Sequence, residues 1–357
     1  MPIPQATTPA PAPVPVAGLG APAPDLAAKV AFLSRPAAYP EPTSRVQPVE
    51  THMSWVFLLD RHAYKLKKPV RLPYLDFSTV ALRRHFCGEE VRLNRRLSDG
   101  IYLGVVPLVQ DDAGTLRLAA GAAAVDWLVR MRRLPAGRML DRLVVDGTLT
   151  STDLARAVTR LAWFYRASPH VPTTPDAYVA RFAHAIDANA EALAWPAYGL
   201  PAADVAALST LQHAALARLA PLLAARAGRV VEAHGDLRPE HVCVEGEPQV
   251  IDTLEFSRDL RLLDPADELG YLALECERQG AAWARDVILA TYSALTGDAP
   301  PDAVVAFYQS HRACVRAKLA AWHLDDDGVR ERAPWTARAA HYLRLARRWI
   351  DACAAGG

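Results

Sequence analysis

The chain is poor in the features on which several function classes depend. Cysteine occurs five times in 357 residues, at Cys87, Cys243, Cys276, Cys314 and Cys353, with no C-x-x-C pair. An odd, scattered set of this kind supports neither a disulfide framework nor zinc-type ligation, and it reads as reduced, mostly buried thiols in a cytoplasmic protein. Lys and Arg number 40 and Asp and Glu 39, a net charge of +1, so there is no electrostatic footprint for nucleic acid or a membrane surface. No apolar run approaches the ~20 residues of a membrane helix. No basic residue precedes Lys29 and no apolar core lies before it, which argues against a secretory signal. G-x-x-x-x-G-K-S/T, G-x-G-x-x-G and G-x-S-x-G are all absent, and the first of these absences excludes a P-loop kinase in this chain.

What is present divides into three parts. Hydrophobic residues make up 51% of the chain, enough for a substantial core. Residues 1–24 are Pro and Ala rich with no charge before Asp25, and they read as a disordered tail. Residues 25–134 read as a small strand-rich unit: a helix at 25–34 capped by Asp25, strands at 54–59 and 63–67 around the turn Asp60-Arg61-His62, and a helix at 79–97 with Leu82, Phe86, Leu93 and Leu97 on one side. Further strands are expected at 104–109, 115–118 and 126–131. Residues 135–357 are mainly helical, with helices at 138–145, 151–167, 175–193 and 202–226 before a strand-rich interruption and further helices from 264 onward. The expected fold is α+β and bilobal, with the ligand crevice between the lobes.

The interruption carries the chemistry. An apolar run at 229–233 leads into His234-Gly235-Asp236-Leu237-Arg238-Pro239, and a later run ends in Val250-Ile251-Asp252. Two aspartates at strand edges, 16 positions apart, suit a site that holds a metal-bound phosphate. In the first unit, alternation places Ala63, Lys65 and Lys67 on one face of a strand.

His234-Gly235-Asp236 resembles the catalytic loop of the aminoglycoside phosphotransferase group within the protein-kinase-like fold, where the pattern is H-G-D-x-x-x-x-N. Ala63-Tyr64-Lys65 resembles the A-x-K of the kinase third strand, and Asp264-Pro265-Ala266-Asp267-Glu268-Leu269 resembles a D-P-A-x-D-L-A stretch. The wording HGDLRPEH, AYKLKKP and LDFST looks like a bacterial branch of that group. The resemblance covers roughly residues 45–274. It implies that Asp236 accepts or orients the proton of a substrate hydroxyl and that Asp252 holds magnesium, with Glu255 close behind. It implies that Lys65, or failing that Lys67, reaches the phosphates of ATP, paired with Glu90 or its neighbour Glu89. Ser54 stands where the phosphate turn falls, and the backbone of the connector at 131–135, including Met131 and Arg132, would meet adenine. Asp264 and Asp267 read as structural. The sequence departs from the pattern at His241, where the group has a metal-ligating Asn.

The resulting expectation is an ATP- and magnesium-dependent phosphotransferase acting on a hydroxyl of a small molecule, with no nucleic-acid or membrane partner. A nucleotide-binding pseudokinase, or a kinase or nucleotidyl transferase acting on protein, stays open as an alternative. Acidic residues at Asp176, Asp187 and Glu191 are candidates to meet a cationic acceptor, although solvated carboxylates are the commoner case.

Overall fold

A computed structural model describes residues 23–72, 74–120, 124–325 and 331–355, so the expected tail lies outside the described residues up to position 22. The chain enters through α1 (Leu26–Leu33), where the Asp25 carboxylate accepts from the Ala28 amide at 2.7 Å and caps the helix. Strands β1 (Gln47–Glu50), β2 (Ser54–Leu58) and β3 (His62–Lys67) follow, then the short ribbon β4 (Arg71–Leu72) and β5 (Leu75–Asp76). Helix α2 (Val80–Asn94) leads to β6 (Tyr102–Gln110), β7 (Leu116–Leu118) and β8 (Ala124–Arg132). The antiparallel strands assemble in the order β1-β2-β3-β8-β6-β7. One sheet face buries Phe57, Tyr64, Leu66, Leu108 and Leu128 beneath α1, and the other packs Val129 and Met131 against Cys87 and Val91 of α2.

Helix α2 is turned relative to expectation. Its buried face is Arg83, Cys87, Glu90, Val91, Leu93 and Asn94, while Leu82 and Phe86 are only half-buried. Ion pairs set this orientation: Arg83 binds both oxygens of buried Asp126, at 2.7 and 2.9 Å, and Glu90 faces the lysines of β3. A buried charge is tolerated only with a partner, so the paired side of the helix turns inward.

The helical part begins with α3 (Leu140–Val145), α4 (Ser151–Ala167), α5 (Pro175–Leu193) and α6 (Ala202–Ala225). Thr150 and Thr174 cap α4 and α5 with their side chains. The interruption consists of β9 (Val231–Glu232), β10 (Val242–Cys243), β11 (Gln249–Val250) and β12 (Leu262–Leu263), with β10 paired to β11 and β9 to β12. Helices α7 (Pro265–Arg278), α8 (Ala284–Thr296), α9 (Asp302–Trp322) and α10 (Ala333–Ala355) complete it. Fold class and bilobal order are as expected, a strand-rich N-lobe followed by a helical C-lobe. Among the described residues no helix is long and apolar enough to cross a membrane.

Helix α7 is buried along nearly its whole length, and paired charges make that possible. Asp264 caps it and takes Arg226 at 2.5 Å, while the same guanidinium holds Asp298 at 2.7 Å. Arg226→Met is therefore expected to leave two buried carboxylates without their shared cation and to destabilise the fold by about 3–5 kcal/mol. Urea denaturation followed by circular dichroism measures this, and a loss below about 1 kcal/mol would mean the clasp contributes little.

Candidate active site

The site is assembled where the β9–β12 insert meets the N-lobe. Asp236 follows β9 through a turn at Gly235, whose φ of +89° favours glycine. A Cβ there would sit 3.0 Å from Arg261 Cγ and 3.1 Å from Leu254 Cβ. Glu268 of α7 holds the turn from below, accepting the amides of His234 at 3.1 Å and Gly235 at 2.7 Å and the hydroxyl of Tyr165 at 2.7 Å. The acidic support for this loop is thus Glu268, while its neighbour Asp267 binds Arg312 at 2.7 and 2.8 Å. The sequence signal for Glu268 is weak, a first-turn carboxylate beside two others.

Three side chains define the surroundings of Asp236. Arg238 reaches its Oδ2 at 2.9 and 3.1 Å, and the Tyr271 hydroxyl donates to Oδ1 at 3.0 Å. Burial works against the Asp236 charge, but Arg238 and then His241 hold the carboxyl well below the usual carboxylate range. His241 places Nδ1 2.8 Å from the Asp236 carbonyl, which can only accept, so Nδ1 carries the proton. Its Nε2 then points toward Arg238 Nη2 at 3.3 Å and lies 3.4 Å from Asp252 Oδ2.

Asp252 ends the β11 segment and is the one non-glycine residue with positive φ (63°) among the described residues. The Tyr102 hydroxyl of β6 accepts its amide at 3.0 Å, and Asn94 of α2 accepts the next amide, Thr253, at 2.9 Å. These cross-lobe bonds hold a backbone conformation that is costly in isolation. Lys65 binds Asp252 at 2.6 Å and Glu90 at 3.0 Å, while fully buried Lys67 binds Glu90 at 2.6 Å and also Glu255. Burial opposes the Lys65 charge, but Asp252 and Glu90 raise its pKa well above the ordinary value; burial likewise opposes the Asp252 charge, and Lys65 foremost holds that carboxyl far down.

The expected residues are therefore distributed as follows. Asp236, His241, Asp252, Lys65, Lys67, Glu90 and Glu255 come together. Glu90, and not Glu89, faces the lysines; Glu89 lies at the surface on Arg92, 2.7 Å away. Glu255 binds Lys67, which Glu90 also holds. Ser54 is buried opposite Lys67, its amide on Thr51 Oγ1 at 3.0 Å. Met131 and Arg132 belong to β8, not to a connector: the Arg132 amide donates to Ile101 and that of Arg133 to Arg61, at 2.8 and 2.9 Å. Among the described residues no group of three or more His, Cys, Asp or Glu is arranged to enclose a metal ion. Asp252 offers the kind of carboxylate oxygen that magnesium takes from a protein, while the His241 imidazole 3.4 Å from it is a softer donor.

No protein-family model matches the chain. Uncharacterized proteins of Mycobacterium tuberculosis and Mycobacterium bovis are 31% identical over 277 residues, 76% of this chain and 53% of theirs. The chain thus spans about half the length of the curated relatives it matches. A choline/ethanolamine kinase family protein from Mesorhizobium loti superposes with a TM-score of 0.53 at 17% identity, covering 91% of this chain and 98% of that one. Aminoglycoside 2'-phosphotransferase-IIIa, solved as its GDP complex, gives 0.53 at 14%, covering 86% and 93%. Choline kinase from Cryptosporidium parvum gives 0.51 at 9%, covering 86% and 90%.

The chain has the protein-kinase-like fold. Within it, the Lys65–Glu90 pair joins sheet to helix inside the N-lobe, and Lys65–Asp252 joins that lobe to the C-lobe insert.

The buried histidines give this fold a pH dependence. Burial first, then His241, pushes the pKa of His234 down to about 4, and burial pushes that of His311 down to about 3. Their unfolded values lie near 6.5, so the unfolded chain takes up protons first. Stability from this source is complete above about pH 6.5 and is lost as pH falls toward 4 and 3, by about 1.4 kcal/mol per pH unit for each histidine. Urea midpoints between pH 7 and pH 4 are expected to fall steadily, and a flat profile would contradict neutral burial of both rings.

Proposed function

We propose that this chain is an ATP-dependent phosphotransferase acting on a small-molecule hydroxyl. The observation that carries the reading is the convergence of Asp236 and Asp252, bridged by His241, with Lys65 held between Asp252 and Glu90. Two carboxylates on separate loops and a lysine fixed by a second acid suit transfer of a phosphoryl group, in which positioning and charge neutralisation dominate. The superposed kinases and phosphotransferase support the reading at the level of the fold, and fold alone does not choose a substrate.

Each residue then has a distinct task. Lys65 binds the phosphates of ATP, with Glu90 and Lys67 fixing its position. Glu255 acts through Lys67 and so positions the Asp252 segment. Asp252, with His241 beside it, would hold magnesium, whose chemistry is neutralisation of charge on the phosphate oxygens. Backbone of the segment after β8, Arg133 to Pro135, faces the adenine edge, and Ser54 supports the strand opposite Lys67. The acceptor oxygen attacks the γ-phosphorus, the bond to the β–γ bridging oxygen breaks so that ADP leaves, and the hydroxyl proton, aimed by Asp236, passes to an oxygen of the transferred phosphoryl group. A carboxylate held so firmly ionised by Arg238 is a weak base, so its contribution is mainly to aim the hydroxyl.

The test uses purified protein with ATP, magnesium and a panel of hydroxyl compounds, read by ADP release. Asp236→Asn is expected to lower kcat by about 100-fold or more while leaving nucleotide affinity near its original value. Equal turnover by the variant would remove Asp236 from the mechanism. Magnesium-dependent ATP binding without turnover of any compound would instead favour a nucleotide-binding module.

A further inference from the structure

One face of α9 lies next to Asp236 by way of Tyr271 and Arg312, and its charge is one-sided. After Asp302, the helix carries no Asp or Glu through Trp322. Its half-exposed face bears Arg312 and Arg316 along one edge, Val315 and Leu319 in the middle, and Lys318 beside Trp322. The Arg312 guanidinium lies 5.3 Å from the centre of the Tyr271 ring, whose hydroxyl binds Asp236, so this face begins at the catalytic loop. It ends where Trp322 stacks on Tyr74 of the N-lobe, ring centres 6.0 Å apart.

Two of the cations near this face, Lys318 and Arg181, have no carboxylate partner among the described residues, and a third, Arg316, is ion-paired through Nε alone. Lys318 has no hydrogen bond or ion pair among the described residues, its ammonium resting over Trp322 at 5.2 Å, and burial pulls its pKa down. Arg316 uses Nε for Glu275 at 3.0 Å, while neither of its terminal amino groups has an acceptor among the described residues. Arg181 of α5, against Tyr178 and Phe182, donates to the Leu262 carbonyl at 2.8 Å and has no carboxylate within 4.0 Å among the described residues. The nearest acids on α7, Asp267 and Glu275, are already paired with Arg312 and Arg316. Asp176, Asp187 and Glu191, the candidates to meet a cationic acceptor, are exposed, and Asp187 pairs with His213 at 2.8 Å.

From this geometry we infer that the acceptor is a hydroxyl compound that also carries a phosphate or carboxylate group, held by Lys318, Arg181 and the free end of Arg316. The inference rests on the phosphotransferase reading for the identity of the site, but its evidence is the charge of this face. A half-desolvated ammonium without an anion is an unfavourable arrangement that a bound anion relieves. A cationic amino sugar or amino alcohol would meet the same cations with like charge.

Calorimetry in the presence of ADP and magnesium tests this without requiring turnover, so it stands apart from the Asp236→Asn experiment. Matched ligands on two skeletons serve as probes: glucose, glucosamine, glucose 6-phosphate and gluconate, and glycerol, serinol, glycerol 3-phosphate and glycerate. On at least one skeleton an anion is expected to bind about tenfold or more tighter than the neutral and amine analogues, as one charged hydrogen bond provides. The phosphate and carboxylate arms separate the two sources of charge. Lys318→Met is expected to remove most of that preference and Lys318→Arg to restore it, whereas a purely structural role for Lys318 would leave the preference in place. The inference is overturned if the amine or neutral analogue binds as tightly as the anions, if no anion binds on either skeleton, or if Lys318→Met leaves the preference unchanged.

Discussion

The structure depends on one shared carboxylate. Glu90, fully buried on α2, holds Lys65 at 3.0 Å with one oxygen and Lys67 at 2.6 Å with the other. Each lysine then reaches across to the C-lobe insert, Lys65 to Asp252 and Lys67 to Glu255. Helix, sheet and insert are thereby fixed to one another by charge. Burying two ammonium groups is tolerable only because three carboxylates surround them, and removal of any one leaves an uncompensated charge. The rotation of α2 follows from the same need, since Glu90 must face β3 for the arrangement to exist.

The two halves of the cleft have opposite electrostatic character. Around Lys65 and Asp252, carboxylates outnumber fixed cations, which suits a divalent ion and the phosphates it accompanies. Beyond Asp236 the surplus is cationic, carried by α9 and Arg181. Asp236 stands at the junction, fixed by Arg238 on one oxygen and Tyr271 on the other. His241 links the two aspartates through its two ring nitrogens and gives the site a nitrogen donor where the resembling pattern has an amide oxygen. Nitrogen suits softer ions than magnesium, so this residue bears on which ion supports activity best.

Much of the fold was legible because it is written in local signals. The expected helices at 151–167 and 175–193 match α4 and α5, and alternation placed Ala63, Lys65 and Lys67 on one face of β3. Strand β1 went unread because all four of its residues are exposed, leaving no alternation to detect. The site was legible at Asp236, Asp252 and the β3 lysines, where motif spacing carries the chemistry. It was not legible where the partner is distant in sequence: Tyr102 and Asn94 support the Asp252 turn from 150 and 159 positions away, and Glu268 supports Gly235 from 33 away. The facing of α2 and the place of Met131 and Arg132 within β8 were not legible either, because buried ion pairs and sheet register set them.

The central claim is that the Glu90–lysine lattice forms the phosphate-binding part of a phosphoryl-transfer site. The most direct test is a double-mutant cycle on magnesium-ATP affinity, measured by calorimetry with Lys65→Met, Glu90→Gln and the pair combined. The account predicts that each single change weakens binding and that the double variant is little worse than Lys65→Met alone, a coupling of roughly 1–3 kcal/mol. Unchanged affinity in Lys65→Met, or losses that simply add, would contradict it.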